Sequence, residues 1–430
     1  MGTPALTGLA LLAALGWVSI VAARQRFWWP GPWLPPDDGD PPTGWPAVAA
    51  VVPARTEAEH LRVTVPMLAA QDYPGRLRIV VVDDESTDDT AATARHILAG
   101  QTTTRTWQVI DGEPTPAGWA GKVWAMAQGR RAAGSVDWLW FTDADITHNP
   151  DVLRRLVRLG ESRRLDVVSV MAVLRTATIW EKLVVPVFVY FFALLYPFRS
   201  LMRGGTAAAA VGARTARSAR RGKGRRRPRF AAAGGCLLVR ADVLDRAGGL
   251  AAIRSALIDD LALAKLIAVA GGREWLGFDP GVRSVRGYRR FADLWHMISR
   301  SAYTQLNYSP LRLLGVLLGL GLLFAVPPIA VGVGAAHWQS TGGDAMVTIA
   351  LGAGAWLLAS GSLTPTLRRV FRLSPLWAMV FPMVGLLYAA MTAHSAWAYY
   401  RGRPISWRGR AATATRSGRG HPAASGSRSE

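Results

Sequence analysis

Two short apolar runs in this chain end directly in carboxylates, and those junctions constrain the fold more than any other feature. Ile79 to Val82 leads into Asp83-Asp84 within VVVDDESTDDT, and Trp138 to Phe141 leads into Asp143-x-Asp145 within FTDADI. A third acidic pair, Asp259-Asp260 in ALIDD, comes later in the same soluble stretch. Carboxylates at the C-terminal ends of successive strands gather in the crevice of an open α/β sheet, where such sheets bind ligands. A set of this kind can hold a nucleotide, a divalent metal and a catalytic base.

The flanking pattern agrees with such a sheet. From Ala47 the chain reads as strand (AVAAVVPARTE), helix (His60 to Gln71) and strand (RLRIVVVDDES). A helix from Thr87 to Leu98, a strand near Trp107 to Ile110, a strand from Val136 to Phe141 and a helix from Pro150 to Leu159 continue the alternation. Strands alternating with helices predict βαβ units and a mostly parallel, Rossmann-like α/β sheet with helices on both faces.

Composition separates this region from its flanks. Half the residues are apolar, yet the formal charge is +21, with the excess in an Arg tract and the C-terminal tail. Pro4 to Ala23 carries no charge and is long enough to cross about 30 Å of hydrocarbon. Arg24, Arg26 and Phe27-Trp28-Trp29 come next, as at a cytoplasmic membrane surface. No positive region precedes the run and no small-residue cleavage site closes it, so an anchor is expected, not a signal peptide. The expected organisation is an anchor at 1–26, a Pro/Gly/Asp linker at 27–46, a catalytic domain at 47–308, transmembrane helices at 309–400 and a basic disordered tail at 401–430.

Within 47–308, Ile179 to Leu201 is apolar but contains Glu181, Lys182, Pro186 and Pro197, and reads either as a span or as an interfacial helix. Residues 203–229 form a low-complexity Ala/Gly/Arg insertion, expected to be disordered and solvated or laid on anionic headgroups. Leu311 to Ala336, Ala345 to Leu363 and Leu376 to Tyr399 each approach spanning length. Arg368, Arg369 and Arg372 against a loop 337–344 without Lys or Arg set the catalytic domain on the cytoplasmic side of a bacterial inner membrane. Three C-terminal spans then send Arg401, Arg403, Arg408 and Arg410 outside, so either the tail is an exception or one apolar segment does not cross. The single cysteine, Cys236, excludes an intrachain disulfide framework and any multi-Cys metal site, and reads as a core residue.

The motifs allow transfer from a nucleotide-activated sugar. Asp143 and Asp145 suit a cation with all-oxygen ligands, Mg²⁺ or Mn²⁺, which would act as a Lewis acid on a departing diphosphate. Asp259-Asp260 stands before a helical pattern at Leu261, as a helix cap or as a general base for an acceptor hydroxyl. Asp83 and Asp84 are strand-to-helix turn residues or partners of a base or ribose. Lys122 in PAGWAGKVWA and Arg300 in MISRSAY are candidate phosphate contacts, with surface salt bridges as the alternative for each.

VVPARTE, VVVDDESTDDT, FTDADI and ALIDD, in this order, resemble a family 2 inverting glycosyltransferase of the GT-A fold. PAGWAGKVWA and SRSAYTQLNYSP, with the anchor and C-terminal spans, are similar to the hopene-associated branch. The resemblance implies a UDP-sugar donor, a divalent cation and single displacement by one aspartate. Carried onto this chain, Asp84 meets the uracil with Pro53, Glu57 and Asp83 nearby, Asp143 and Asp145 hold metal and diphosphate, and Asp260, beside Asp259, is the base. Processive members carry Q-x-x-R-W; here Met297 to Ser301 retains only Arg300, which disfavours polymer synthesis and favours one transfer to a lipid, a hopanoid or polyisoprenoid. A polyprenyl-phosphate sugar transferase, a short-chain polysaccharide synthase, and a non-catalytic scaffold or transport protein are the alternatives. Nucleic-acid binding is not expected, because GKGRRRPR lacks interleaved aromatics and a recognised fold around it.

Overall fold

The computed structural model describes residues 3–23, 26–38, 42–101, 105–201, 230–402, 406–407 and 410–411. The Arg-rich insertion expected at 203–229 and most of the tail expected at 401–430 lie outside the described residues.

A mixed eight-stranded sheet carries the soluble region. Its strands are β1 (Val48–Ala54), β2 (Leu77–Asp83), β3 (Thr106–Asp111), β4 (Trp138–Thr142), β5 (Ile146–His148), β6 (Val167–Val173), β7 (Cys236–Arg240) and β8 (Glu274–Ser284). They lie in the order β3-β2-β1-β4-β7-β6-β8-β5. The first four strands pair in parallel. Beyond β4 the direction changes: β7 is antiparallel to both β4 and β6, β6 is parallel to β8, and β8 is antiparallel to β5. The expected parallel sheet therefore holds for one half only. The mixed half begins where the chain leaves β4 without a crossover helix. Asp143 O accepts from Ile146 N–H at 3.1 Å, and this tight turn starts β5 at once.

Helices cover both faces: α2 (Ala58–Ala69), α3 (Thr90–Ala99) and α5 (Val152–Ser162) on one, α4 (Gly121–Ala133) and α7 (Asp259–Val269) on the other. The strands read as continuous apolar runs because both of their faces are buried. Val48, Ala50 and Val52 belong to the first core cluster, while Ala49 and Val51 belong to the second. Trp138 and Trp140 are fully buried on the first face. On the opposite face α4 lies so close to β1 that a Cβ at Gly129 would overlap the Val51 Cγ1 methyl.

Four helices are long and apolar enough to cross a membrane: Pro4–Ala23, Pro310–Ala336, Gly343–Arg369 and Pro375–Tyr400. We label the first α1 (Thr3–Ala23), and after α6 (Ile179–Leu195) and α8 (Phe291–Gln305) the others α9 (Pro310–Ala336), α10 (Gly343–Arg369) and α11 (Phe381–Tyr400). α1 and α10 run side by side in the same direction. Thr7 and Thr348 share a 2.6 Å hydroxyl hydrogen bond near their starts, and the Arg369 guanidinium lies 4.0 Å over the Trp29 ring near their ends. α9 runs against them, with Ala330 packed by Leu6 and Ala10.

α6 is tied to the sheet domain at both ends. Thr178 and Glu181 form a capping box at its start, and Glu181 Oε1 also accepts from Tyr288 N–H at 2.7 Å. Just past its end, Phe198 stacks on Phe278 of β8 at 4.9 Å. Tyr190, in its middle, shares a 2.6 Å hydrogen bond with Ser362 of α10. α6 is thus held by the sheet domain at its ends and by apolar helices along its length.

Candidate active site

The crevice forms at the C-terminal ends of the parallel strands, where β1, β2 and β4 deliver their loops. The β1 ladder with β4 ends at Val51, so Pro53, which has no N–H to donate, sits beyond that pairing. The loop after β1 is laced to the loop after β2. Thr56 N–H donates to Ser86 Oγ at 2.8 Å, Glu57 N–H to Thr90 Oγ1 at 2.8 Å, and Ala58 N–H to Asp88 Oδ2 at 3.1 Å. These three bonds satisfy donors at the start of α2 that helix geometry leaves without intrahelical partners.

Asp84 is fully buried behind that lacing, with Arg55 Nη1 3.6 Å from its Oδ2 and its own N–H on Ala54 O at 2.7 Å. Asp83 accepts from the hydroxyl and the N–H of Ser86. Burial pushes its carboxyl above the usual carboxylate range, against the pull of the Ser86 hydrogen bonds.

Two half-buried basic side chains join the remaining carboxylates. Lys122, in the first turn of α4, places Nζ 2.7 Å from Asp143 Oδ1 and 3.0 Å from Asp259 Oδ2. It links the second acidic cluster to the third, and the two carboxylates hold its ammonium well above the ordinary lysine range despite burial. Arg286, just beyond β8, places Nε 2.9 Å from Asp145 Oδ2 and Nη2 2.6 Å from Glu57 Oε1. Glu57 Oε2 meets His60 Nδ1 at 2.6 Å, and Ser284 Oγ donates to Asp145 at 2.8 Å. Burial works to raise the Asp145 carboxyl, but Arg286 and Ser284 outweigh it and hold the group below its usual range. Asp143 goes the other way, because burial exceeds the effect of Lys122.

Asp260 stands apart from these ion pairs. Its oxygens accept from Gly234 N–H at 2.8 Å and from Leu261 N–H at 2.7 Å. Burial and the adjacent Asp259 charge push its carboxyl up to about 7, even with Lys122 opposing. A carboxylate tuned near neutrality can take a proton and release it again. His148 is a contrasting case, since burial alone drops its imidazole to about 3. It is held by Thr142 Oγ1 at 2.8 Å as a neutral core residue.

Of the residues singled out in the sequence, Lys122, Asp143, Asp145, Glu57, Asp259 and Asp260 meet in this crevice, with Asp83, Asp84 and Pro53 along its β1–β2 edge. Arg300 does not join them. It lies on the exposed side of α8, and no ion pair or hydrogen bond ties it to the cluster among the described residues. Arg55 and Arg286 were missed. Arg55 stands inside the quoted VVPARTE, and Arg286 in VRGYRR comes directly after a strand. A basic residue at a strand end in a chain rich in strand-end carboxylates is the signal that could have found Arg286. Among the described residues no group of three or more His, Cys, Asp or Glu is arranged to hold a metal ion. Asp143 is held by Lys122, and Asp145 by Arg286 and Ser284.

An open α/β sheet whose strand ends collect carboxylates around two half-buried basic side chains agrees with the GT-A fold implied by the sequence motifs. Residues 46–302 match the family described as glycosyltransferase like family 2, and residues 206–419 match glycosyl transferase family 21. The chain belongs to glycosyltransferase like family 2 and is a glycosyltransferase. An N-acetylglucosaminyltransferase of Mesorhizobium japonicum is 32% identical over 132 residues, which is 29% of this chain and 28% of that protein. The chain thus matches little more than a quarter of that relative's length. Among solved structures, a mannosyltransferase from Pyrobaculum calidifontis in complex with GDP-Man and Mn²⁺ shares the fold at a TM-score of 0.50 and 19% identity, covering 90% of this chain and 99% of that one.

Proposed function

We propose that this glycosyltransferase is membrane-bound and moves a sugar from a nucleotide-sugar, a UDP-sugar by preference, to a lipid acceptor with inversion at the anomeric carbon. The observation that carries the reading is Asp260, an un-ion-paired carboxylate pushed up to about 7 at the start of α7. In this reading Asp260 accepts the proton of the acceptor hydroxyl as that oxygen attacks the anomeric carbon, and the nucleoside diphosphate departs. Asp259 holds Lys122 beside Asp143, so a cation stands at the position where diphosphate charge develops. Glu57, Asp83, Asp84 and Pro53 line the nucleotide end. Among the described residues Arg300 makes no ion pair or hydrogen bond with the cluster and is left out of the donor site.

Asp143 and Asp145 fit a divalent cation, Mg²⁺ or Mn²⁺. Two carboxylates without a third protein ligand suit an ion that keeps waters and takes phosphate oxygens. Bound there, such an ion would neutralise the leaving diphosphate. The Mn²⁺ and GDP-Man of the mannosyltransferase and the name of the Mesorhizobium relative support a nucleotide-sugar donor and a divalent cation.

The membrane reading rests on the four apolar helices. The lipid acceptor, of hopanoid or polyisoprenoid type, rests on continuity between catalytic and apolar surfaces. Leu261, next to Asp260, belongs to the buried cluster that contains Val184 of α6, Ala359 of α10 and Met391 of α11, with Ile258 packed against it. The place of the catalytic domain on the cytoplasmic face of a bacterial inner membrane rests on Arg368, Arg369 and Arg372 against a loop 337–344 without Lys or Arg. The test is sugar transfer by purified protein in lipid, with radiolabelled UDP- and GDP-sugars, Mg²⁺ or Mn²⁺, and Asp143→Ala alongside. Label should enter the organic phase only with metal and only in wild type. Label that stays in water-soluble polymer would overturn the lipid acceptor.

A further inference from the structure

Four apolar helices and a basic tail conflict with a single cytoplasmic face, and contacts of α11 resolve the conflict. The described residues between 47 and 309 hold together around one sheet domain, so Pro310 starts α9 on the catalytic side. α9 runs away from that side, and α10 returns to it, since Arg369 covers Trp29 just past the end of α1. The chain has then crossed three times, with Arg368, Arg369 and Arg372 at the catalytic face.

The remaining segment turns back along α10. Leu373 N–H donates to Leu367 O at 2.9 Å, and Trp356 Nε1 donates to Met379 O at 2.9 Å. Trp356 is thirteen residues before Arg369, about 20 Å up the helix at 1.5 Å per residue. At that depth Phe381 packs on Phe324 of α9 at 4.9 Å and on Trp17 of α1 at 5.9 Å. Gly385 passes so close to the Phe324 ring that a Cβ there would overlap it. From this apex α11 descends antiparallel to the first half of α9. His394 accepts from Trp295 Nε1 at 3.0 Å, and Ser395 Oγ accepts from Tyr303 N–H at 3.0 Å, both donors on α8. Tyr399 stacks on Tyr308 at 4.6 Å, two residues before α9 begins, and Tyr400 and Tyr303 share a 2.8 Å hydroxyl hydrogen bond.

We propose that α11 is re-entrant: it enters the apolar layer, turns at Phe381 and comes back, so that the chain crosses three times and the residues after Tyr400 lie on the catalytic face. This rests on the membrane reading above. It removes the charge conflict, because Arg26, Arg368, Arg369, Arg372 and Arg401 then share one face while the loop 337–344 without Lys or Arg has the other. It also sets Arg401 beside the lipid surface from which the acceptor comes, where a basic residue contributes about 1 kcal/mol of attraction to anionic headgroups.

Cysteine labelling tests it directly. Cys236 is the sole cysteine and is buried, so wild-type protein serves as the blank. Ser162→Cys marks the sheet domain, Ser340→Cys the loop between α9 and α10, and Ser417→Cys the tail. In sealed vesicles probed with a membrane-impermeant maleimide, Ser417→Cys should behave as Ser162→Cys does, and Ser340→Cys should react from the opposite side. Labelling of Ser417→Cys together with Ser340→Cys would overturn the proposal and leave the membrane reading standing. Release of the protein by alkaline carbonate, or all three cysteines reacting alike, would sink both.

Discussion

The two half-buried basic residues of the crevice, Lys122 and Arg286, each join a pair of carboxylates, yet they differ in what they leave adjustable. Arg286 is a planar fork whose two ends are committed, one to Asp145 and one to Glu57, and Ser284 holds the same Asp145 oxygen. Lys122 is a point charge on a flexible stem between Asp143 and Asp259. In the proposed reaction the Arg286 side is a fixed wall at the donor end. The Lys122 side, next to Asp260, is free to exchange partners as a diphosphate arrives and leaves. On that proposal, rigid geometry holds the donor and movable charge stands where bonds change.

Substitutions can break that comparison. Asp260→Asn should have the largest effect, a fall in transfer rate of about 10²–10⁴-fold, measured as sugar entering lipid. The same variant should be more stable than wild type at pH 8. The folded-state carboxyl of Asp260 is raised to about 7 from an unfolded value near 4, so its contribution to stability is present below about pH 4 and lost as pH rises through about 7. An amide does not ionise, and thermal unfolding at pH 8 should shift up by about a few degrees.

Arg286→Ala should come next, because it leaves Glu57 and Asp145 buried beside each other without the cation. A loss of about 3 kcal/mol in chemical denaturation and about 10²-fold in kcat/KM is expected. Arg286→Lys should recover little of either, since one ammonium replaces the separate Nε and Nη2 contacts to Asp145 and Glu57, and the Nε contact on the Asp145 side is lost. Full recovery by lysine would erase the distinction drawn between the two sides.

Lys122→Gln should cost less in rate and should appear in the pH profile. Lys122 opposes the rise of the Asp260 carboxyl, so its removal should move the acidic limb of the profile further toward alkaline pH. Gly129→Ala should have the smallest effect on chemistry. It forces α4 away from Val51 and should cost about 1–3 kcal/mol of stability, with the pH profile unchanged.

The sequence made the parallel half of the sheet legible because β1, β2 and β4 are buried on both faces and β2 and β4 run into carboxylates. The antiparallel half was hidden: β7 comes after the Arg-rich insertion, and β5 is only three residues long. Lys122, Asp143 and Asp259 were visible as residue types at strand and helix ends, but their mutual contact depends on β1, β4 and α4 packing against α7. Arg286 was missed because its partners, Glu57 and Asp145, are 229 and 141 positions away in sequence. α6 read equally well as span or interface, and the contacts that hold it are tertiary. The Glu181 bond to Tyr288 and the Phe198 stack on Phe278 bind both of its ends to the sheet domain.

The most direct test is the rate of nucleoside diphosphate release by purified protein in lipid, monitored from about pH 5 to about pH 9 for wild type and Asp260→Asn. Wild-type activity that rises through about pH 7 and is almost absent in the variant at every pH would be the predicted result. Equal activity of the two proteins across the range would contradict the assignment of Asp260 as the base and with it the account of this crevice.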